Sequence, residues 1–290
     1  MAEAKCVWDL GATLGEGPIW VADEGAAYFV DIKGDCVHRY VPSTQETKTW
    51  RFEHQICSLT RCRQGGYVVT TRHGFALLDL DAGRVDEIAG VENLKPEMRF
   101  NDAKADGQGR LWAGTMDDTE SGDNSGVLYR LDADRSWRAM DHGYGVTNGP
   151  AFGIDGKTMY HTDSPARTIY AFDVDDAGQI SNKRVFIKFT EEDGYPDGMT
   201  MDAQGYLWVA HYRGWRVSRF SPDGQLDRAI ALPVAQVTSC VFGGPNLDTL
   251  YVTTATQTLG EDERQGQPLA GGLFEIAVGI RGLPSAEFAG

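Results

Sequence analysis

Four side chains with carboxylate or amide oxygens recur at the same place in a repeated pattern of the sequence. Glu16, Asn101, Asn148 and Asp197 each lie eleven to thirteen residues before a recurring, mostly aromatic position, and each is followed closely by Gly or Asp. Oxygen donors that converge on one point form a site for a divalent cation such as Ca²⁺, Mg²⁺ or Mn²⁺. The spacing therefore predicts that these four residues meet at one polar site.

The charges of these four residues suit a divalent cation. Two carboxylates and two neutral amides come close to balancing a 2+ ion, whereas without a metal Glu16 and Asp197 would repel each other and one would take up a proton. Asn and Asp before Gly are also common turn formers, so a turn explains each pair equally well when it is taken alone. The shared register of all four in separate repeats favours the cation site.

The elements that must position these residues are six copies of a short β segment. The residues aligned in the copies are Phe29, Val68, Trp112, Tyr160, Trp208 and Tyr251, at intervals of about 39 to 48 residues. Turns rich in Asp and Gly precede several copies, as at residues 106–109, and another alternating strand follows each, as at residues 127–131. Units of four short strands with this period are typical of a β-propeller. The pattern predicts an all-β, six-bladed β-propeller with four-stranded antiparallel blades.

The two ends of the chain are expected to close the ring. The sixth unit ends after the segment 273–278, with only a Gly-rich tail behind it, while the segment 6–10 precedes the first unit and has the pattern of a strand. We expect this segment to supply the outer strand of the sixth blade, which makes residues 1–290 a single propeller domain. The starts of the innermost strands then face the central channel, which places the four oxygen donors at its mouth.

Charge and composition exclude several classes of partner. The formal net charge is −15, and no basic stripe is present to neutralise nucleic acid or to bind an anionic membrane. No apolar run approaches the ~18 residues that a membrane span requires, and the first residues lack the pattern of a signal peptide. Five cysteines without a CxxC pair favour reduced thiols. We expect a cytoplasmic protein, a monomer or weak oligomer, that binds neither nucleic acid nor membranes.

The motifs around the candidate site resemble those of the senescence-marker-protein (regucalcin)/gluconolactonase family. The resemblance runs from about Leu14 to Phe274, and the opening of the chain is most similar to bacterial sugar lactonases such as xylonolactonase. It rests on five motifs in the blade register, which are LGEGP at 14–18, RFND at 99–102, GTM at 114–116, TNGP at 147–150 and PDG at 196–198.

This resemblance implies a metal-dependent sugar lactonase. It implies that Glu16, Asn148 and Asp197 hold one divalent metal ion, and that Arg99 and Asn101 contact the sugar. Ligation by oxygen favours Ca²⁺, Mg²⁺ or Mn²⁺, but members of the family are active with several ions, including Zn²⁺ and Fe²⁺. The identity of the metal therefore stays open.

An acidic side chain often faces the substrate shortly after the Gly-Thr-Met motif in this family. In this chain Asp117, Asp118 and Glu120 all follow that motif, and Glu120 is our candidate for contacting the substrate. The segment 117–124 is expected to form a loop over the channel mouth. A solvated acidic loop is the alternative interpretation, because exposed loops are usually polar.

The resemblance implies a carboxylic ester hydrolase that opens a sugar lactone, either a pentonolactone such as xylono-1,4-lactone or a glucono-type lactone, to the aldonic acid. The metal would serve as a Lewis acid and Asp197 as the general base, using its second oxygen, while Arg99 would orient the sugar hydroxyls. A calcium-binding regulator of the regucalcin type, a lactonase or esterase for a non-sugar substrate, and a protein-interaction platform are the alternatives.

Other side chains near the repeats receive structural assignments. We expect His161 and His211, on the second strands of their blades, to be core histidines rather than metal ligands, because metal-binding histidines usually occur in clusters. Tyr144 and Tyr195 precede innermost strands and are expected to line the channel mouth.

Overall fold

A ring of six four-stranded sheets forms the body of the protein. The computed structural model describes residues 3–91 and 94–290, in which twenty-four strands make six separate antiparallel sheets. In five of the sheets the strands follow one another in chain order, and the sixth contains both ends of the strand sequence. The prediction of a six-bladed β-propeller is confirmed.

After the opening strand β1 (Ala4–Trp8), the strands of each blade follow one another from the channel outward. Blade 1 contains β2 (Gly15–Val21), β3 (Ala26–Asp31), β4 (Cys36–Val41) and β5 (Glu46–Arg51), and blade 2 contains β6 (Ile56–Arg61), β7 (Tyr67–Thr71), β8 (Gly74–Asp79) and β9 (Arg84–Gly90). Blade 3 contains β10 (Met98–Ala105), β11 (Leu111–Asp117), β12 (Gly126–Leu131) and β13 (Trp137–Tyr144), and blade 4 contains β14 (Thr147–Phe152), β15 (Thr158–Asp163), β16 (Thr168–Val174) and β17 (Ile180–Lys188). Blade 5 contains β18 (Tyr195–Met201), β19 (Leu207–Tyr212), β20 (Arg216–Phe220) and β21 (Leu226–Ala231), and blade 6 contains β22 (Val237–Gly243), β23 (Thr249–Thr254), β24 (Leu273–Ala277) and β1.

The six innermost strands line the central channel and pack against one another around the ring. They are buried along nearly their whole length because neighbouring blades cover both faces. The outermost strands are largely exposed, as in β5 and β9. This radial gradient of burial places the channel-facing ends of the innermost strands on the most rigid part of the fold.

The N-terminal strand closes the ring, as the sequence predicted. β1 is the outermost strand of blade 6 and pairs antiparallel with β24, in a register that sets Ala4 opposite Ile276 and Trp8 opposite Leu273. Its bounds are shifted towards the N-terminus of the predicted segment 6–10. Backbone hydrogen bonds within blade 6 therefore join the first strand of the chain to the last, which closes the ring.

Helical structure is almost absent from the described residues, as expected for an all-β propeller. They contain one 3₁₀ turn (Glu191–Asp193) and one short helix, α1 (Glu261–Gln265). No helix in residues 3–91 and 94–290 is long and apolar enough to cross a membrane.

The aspartates in the turns before two aromatic strands also fix the core tryptophans. Asp106 Oδ2 accepts the indole N–H of Trp112 at 2.9 Å, and Asp202 Oδ2 accepts that of Trp208 at 3.0 Å. Both tryptophans are fully buried. The hydrogen bonds satisfy donors that would otherwise be costly to bury, so the Asp-x-x-Gly turn and the aromatic anchor form one unit.

The C-terminal tail crosses the end of the channel that lies away from the starts of the innermost strands. Gly282 forms a β-bridge with Asp202, Phe288 forms one with Cys62, and the Ala289 N–H donates to the carbonyl of Gly109. The tail therefore connects blade 5 to blades 2 and 3. It has no strand pattern of its own, so the sequence did not reveal this role.

Removing the anchor of this tail is expected to destabilise the ring. Phe288 is fully buried, so Phe288→Ala should lower the free energy of unfolding by about 3–5 kcal/mol, measured by chemical denaturation. Leu226→Ala, at a position that is more than half exposed, is the matched control and should change it by less than about 1 kcal/mol. Equal effects of the two substitutions would show that the tail does not stabilise the fold.

Candidate metal and substrate site

The predicted site residues meet in one cavity at the starts of the innermost strands. Its volume is about 410 Å³, and its lining includes side chains from blades 1, 3, 4 and 5. The predicted residues in the lining are Glu16, Arg99, Asn101, Glu120, Asn148 and Asp197. All except Glu120 are buried. The structure thus brings all six candidates together, with five forming the floor and inner wall and Glu120 at the more exposed side.

A local irregularity in every innermost strand aims these side chains. The register with the second strand shifts at the start of each of the six innermost strands, and it does so directly after Glu16 in β2 and Asn148 in β14. Such bulges insert an extra residue and turn nearby side chains out of the regular alternation. The Gly and Asp residues that follow the candidate ligands in the sequence are the residues of these bulges.

Two glycines beside the ligands are required by the geometry. Gly149 follows Asn148 with φ of +79°, in the left-handed region that side chains rarely adopt. A Cβ atom on Gly198 would lie 2.1 Å from the Ser239 hydroxyl, because the innermost strands of blades 5 and 6 approach closely there. These constraints fix the backbone directly after two of the candidate ligands.

Blades 2 and 6 contribute thiols instead of oxygen donors at the same position. Cys57 and Cys240 are fully buried. Burial raises the pKa of each thiol to about 12 and therefore keeps both uncharged at neutral pH. The carboxylate and amide side chains at this position therefore come from the other four blades.

The amide side chains are held by a network with a defined direction. Arg99 Nη1 donates to Asn101 Oδ1 at 2.6 Å, and Asn101 Nδ2 donates both to the Thr147 carbonyl at 2.8 Å and to Asn148 Oδ1 at 3.0 Å. An amide oxygen has two acceptor positions, so Asn148 Oδ1 keeps one of them for a further partner.

Arg99 is fixed by an anionic neighbour and still has donors to offer. Its Nε donates to Asp118, which also pairs with Lys33 at 2.6 Å and Arg72 at 3.0 Å. Burial alone would raise the pKa of Asp118, but these three cations hold it at about 2. Nη1 donates to Asn101 and to the Phe100 carbonyl, whereas Nη2 has no partner among the described residues. The Nη2 hydrogens are therefore available to a bound molecule.

The three carboxylates of the acidic loop after the Gly-Thr-Met motif differ in their hydrogen-bond partners. Asp117 accepts hydrogen bonds from the hydroxyls of Thr119 and Ser121 within the loop, and Asp118 is engaged by Arg99. Glu120 lines the cavity, is exposed and makes no side-chain hydrogen bond to another described residue. Of the three, Glu120 is the carboxylate left free to contact a substrate.

Two carboxylates at the floor of the cavity have raised pKa values. Burial, reinforced by the charge of Asp102, raises the pKa of Glu16 to about 8. Burial, followed by the charges of Glu16 and Asp102, raises the pKa of Asp197 well above its usual range. In the absence of a cation these carboxylates resist ionisation, as expected for like charges enclosed together.

Asp102 is a site residue that sequence analysis did not assign. Its carboxylate accepts the N–H groups of Ala103 at 2.8 Å and of Gly149 at 2.9 Å, so it joins blade 3 to the residue after Asn148. Burial raises its pKa, which the positive charge of Lys104 opposes. The available signal was its position directly after Asn101, where an acid lies in the same bulge as a candidate site residue.

The donor set fits a divalent cation. Asp197 Oδ1 is buried and has no hydrogen-bond partner among the described residues, which is costly for a carboxylate unless a cation satisfies it. The three carboxylates Glu16, Asp102 and Asp197 share the floor with two cations, Lys104 and Arg99, and Arg99 also pairs with Asp118. In residues 3–91 and 94–290 no three His, Cys, Asp or Glu side chains are arranged to hold a metal. A cation there would require amide oxygens as ligands.

The aromatic and histidine assignments are partly corrected. Tyr195 lines the cavity as predicted, but Tyr144 does not, because it is fully buried against His161, with ring centroids 4.7 Å apart. His161 and His211 are fully buried in the core, as predicted. Tyr212 is an additional wall residue, and its hydroxyl is held by Thr258 at 2.8 Å.

Comparison with known sequences identifies relatives over the whole chain. A family model described as "SMP-30/Gluconolactonase/LRE-like region" matches residues 14–256. Regucalcin of Xenopus laevis is 38% identical, with 99% of this chain and 98% of the relative covered. A Bacillus subtilis (strain 168) protein provisionally named sugar lactone lactonase YvrE is 36% identical, with 97% of both chains covered. A 6-deoxy-6-sulfogluconolactonase of Pseudomonas putida is 34% identical, with 99% and 98% covered.

Solved structures share the same architecture. A luciferin-regenerating enzyme superposes with a TM-score of 0.93 at 32% identity, with both chains fully covered. A regucalcin of Agrobacterium tumefaciens, described as a calcium-binding protein, superposes with a TM-score of 0.94 at 24% identity, covering 99% of this chain and 97% of the other. The similarity to the Agrobacterium tumefaciens protein concerns the fold alone.

Proposed function

Because the chain belongs to the SMP-30/gluconolactonase/LRE-like family, we propose that it is a metal-dependent hydrolase that opens a sugar lactone to the corresponding aldonic acid. The substrate class is an aldonolactone, either a pentonolactone such as xylono-1,4-lactone or a glucono-type lactone. Relatives named as lactonases of sugar or sulfosugar lactones support this class.

The observation that carries the proposal is the buried, unsatisfied carboxylate of Asp197 at the floor of a polar cavity. Glu16 and Asn148 lie in the same floor, and Arg99 has free donors in the same lining. A protein-interaction platform does not require buried carboxylates that repel one another. An enzyme that binds a cation beside a polar substrate requires both the carboxylates and the free donors of Arg99.

The chain's own residues account for the proton movements of hydrolysis. Asp197 takes a proton from a water molecule whose oxygen bonds to the lactone carbonyl carbon. The bond between that carbon and the ring oxygen then breaks, and the ring oxygen leaves with the proton that Asp197 received. Arg99, held in place by Asp118, orients the sugar hydroxyls through its free Nη2 hydrogens, and Glu120, in the loop after β11 of the same blade, contacts the sugar from the more exposed side of the cavity.

Glu16, Asn148 and Asp197 would hold the metal, with Asn101 beside them. When bound, a divalent cation supplies Lewis-acid stabilisation of the charge that develops on the carbonyl oxygen. The residues accept several hard ions, Ca²⁺, Mg²⁺ and Mn²⁺ first among them, and Zn²⁺ and Fe²⁺ belong to the same test.

The decisive test is a panel of lactones offered to metal-stripped protein that has been reloaded with single ions. We expect proton release with at least one of xylono-, arabinono-, galactono- and gluconolactone, lost on chelation and restored by a divalent ion. Simple aliphatic lactones in the same panel test the esterase alternative for non-sugar substrates. Absence of metal-dependent turnover on every sugar lactone would refute the proposal.

A calcium-binding regulator is the second candidate, because regucalcin is among the relatives at 38% identity. It requires the same residues Glu16, Asn148 and Asp197 but no turnover. Tight Ca²⁺ binding by calorimetry, together with an inactive lactone panel under every ion, would favour this alternative over hydrolysis.

A further inference from the structure

A hydrogen-bond chain continues from Asn148 into blade 5 through a serine that has no assigned role. Ser164 directly follows β15, is buried, and its N–H donates to the Val146 carbonyl at 3.0 Å. Its hydroxyl donates to the Pro196 carbonyl at 2.7 Å and accepts from Asn148 Nδ2 at 2.9 Å. The chain therefore connects one candidate ligand to the residue that precedes another, Asp197.

The chemistry of the end groups gives this chain a single direction. The Pro196 carbonyl can only accept, so the Ser164 hydroxyl must donate to it and has only lone pairs left for Asn148. The Asn148 side chain must then present its NH₂ group to Ser164 and its oxygen to the other side. At that other side Asn101 Nδ2 donates to the same oxygen, which agrees with the orientation set by Ser164.

Both constraints act on the orientation of one amide. An Asn carboxamide turned by 180° keeps its shape but exchanges an acceptor for a donor, and an NH₂ group cannot ligate a cation. Ser164 and Asn101 make the turned form unfavourable, since it would set the Asn148 NH₂ group against the Asn101 NH₂ group and leave the Ser164 lone pair without a donor.

We propose that Ser164 is a positioning residue that locks the Asn148 carboxamide with its oxygen towards the metal position. The inference rests on the metal site of the proposed function and deepens it by assigning what orients one of the ligands. Hydrogen-bonded neighbours of metal ligands commonly contribute 10- to 100-fold to metal affinity.

Metal affinity is the direct readout. Ser164→Ala removes both hydrogen bonds of the hydroxyl and should weaken Mn²⁺ binding roughly 10- to 100-fold, measured by titration of free Mn²⁺ with electron paramagnetic resonance. Thr162→Val is the matched control, because the Thr162 hydroxyl is buried two residues away but has no partner among the described residues. It should leave Mn²⁺ affinity within about twofold.

A double-mutant cycle separates orientation from packing. Asn148→Asp places an oxygen at both positions of the side chain, so its ligand no longer depends on which way the group is turned. In the Asn148→Asp background, Ser164→Ala should therefore lower Mn²⁺ affinity by less than about threefold. In the wild-type background the same substitution should lower it by about tenfold or more. Equal losses in both backgrounds would overturn the proposal and assign Ser164 a packing role.

The remaining outcomes distinguish this proposal from the proposed function. Wild-type affinity in Ser164→Ala overturns the positioning role alone. Wild-type protein that binds Mn²⁺ but hydrolyses no lactone overturns the proposed reaction and leaves the positioning role standing. Wild-type protein that binds no divalent cation overturns both. Thermal unfolding of each variant without metal shows whether a loss of Mn²⁺ affinity comes from misfolding. If Ser164→Ala is destabilised, the comparison of its effect beside Asn148 and beside Asn148→Asp decides between a positioning role and a packing role.

Discussion

Asp197→Ala is expected to lower sugar-lactone turnover by roughly 10³-fold or more while leaving the ring folded. The change removes both the general base, which alone contributes about 10²- to 10⁴-fold, and a metal ligand. Initial rates of proton release at saturating metal, together with Mn²⁺ titration, measure the two losses separately. Asp197→Asn keeps the shape of the side chain and should be nearly as inactive.

Asp197→Asn should also stabilise the metal-free protein. The pKa of Asp197 is raised in the folded state by burial and by the charges of Glu16 and Asp102. A raised carboxyl pKa means that the folded state is penalised as pH rises above the ordinary range of an aspartate. At pH 7 and without metal, Asp197→Asn should therefore unfold at a higher denaturant concentration than the wild type.

Asp123→Asn is the matched control for this pair of effects. Asp123 also lines the cavity but is exposed, so both turnover and metal-free stability should stay close to wild type. Substantial turnover in Asp197→Ala would show that the site is wrongly assigned. A loss of stability in metal-free Asp197→Asn would show that the carboxylate is held by a favourable interaction.

Acid sensitivity is the second large effect, and it originates in the core histidines. His161 is fully buried, and neither ring nitrogen has a partner among the described residues. Burial lowers its pKa to about 3. Below pH 6.5 the His161 imidazole is protonated in the unfolded chain but stays neutral in the folded protein. The free energy of unfolding therefore falls as pH falls through this range. At pH 5 the loss is about 2 kcal/mol for this residue.

His161→Phe should remove this dependence. A phenyl ring retains the contact with Tyr144 and cannot be protonated, so the variant should gain about 2 kcal/mol relative to wild type between pH 7.5 and pH 5. Urea denaturation at the two pH values measures the difference. Burial also lowers the pKa of His38 and of His211 to about 4, so both should retain their share of the acid sensitivity in the variant.

His54→Phe, at an exposed position, tests whether any loss of histidine has the same effect. Its pH profile should run parallel to that of the wild type. A profile of His161→Phe that also runs parallel to the wild type would mean that His161 becomes protonated without unfolding, in contradiction to its buried, unpartnered state.

The fold was accessible from sequence because one physical signal repeats six times. The second strand of each blade is buried on both faces, so it appears as a short apolar and aromatic run at a constant interval, as in β11 and β19. The outermost strands carry no such signal. β5 has the sequence ETKTWR and is mostly exposed, so its pairing is set by the neighbouring strand and not by its own pattern.

The candidate site was predicted where a side chain itself faces the cavity. Glu16, Asn148 and Asp197 share a register, which a single sequence reveals. Asp102 and Ser164 act through backbone groups of other blades, at Gly149 and Pro196 respectively. Contacts between chain segments far apart leave no periodic trace, so only the folded structure identifies these residues.

The seam between β1 and β24 has a consequence for how the protein is made. Ala4 pairs with Ile276, so about 270 residues must be added after the first strand before its partner exists. At about 5–20 residues per second this delay amounts to roughly 15–50 seconds of translation. Blades 1 to 5 are complete in sequence well before then, whereas the sixth requires both ends of the chain. The ring can therefore close only after β24 has been synthesised, and any blades that fold earlier form an open arc until then.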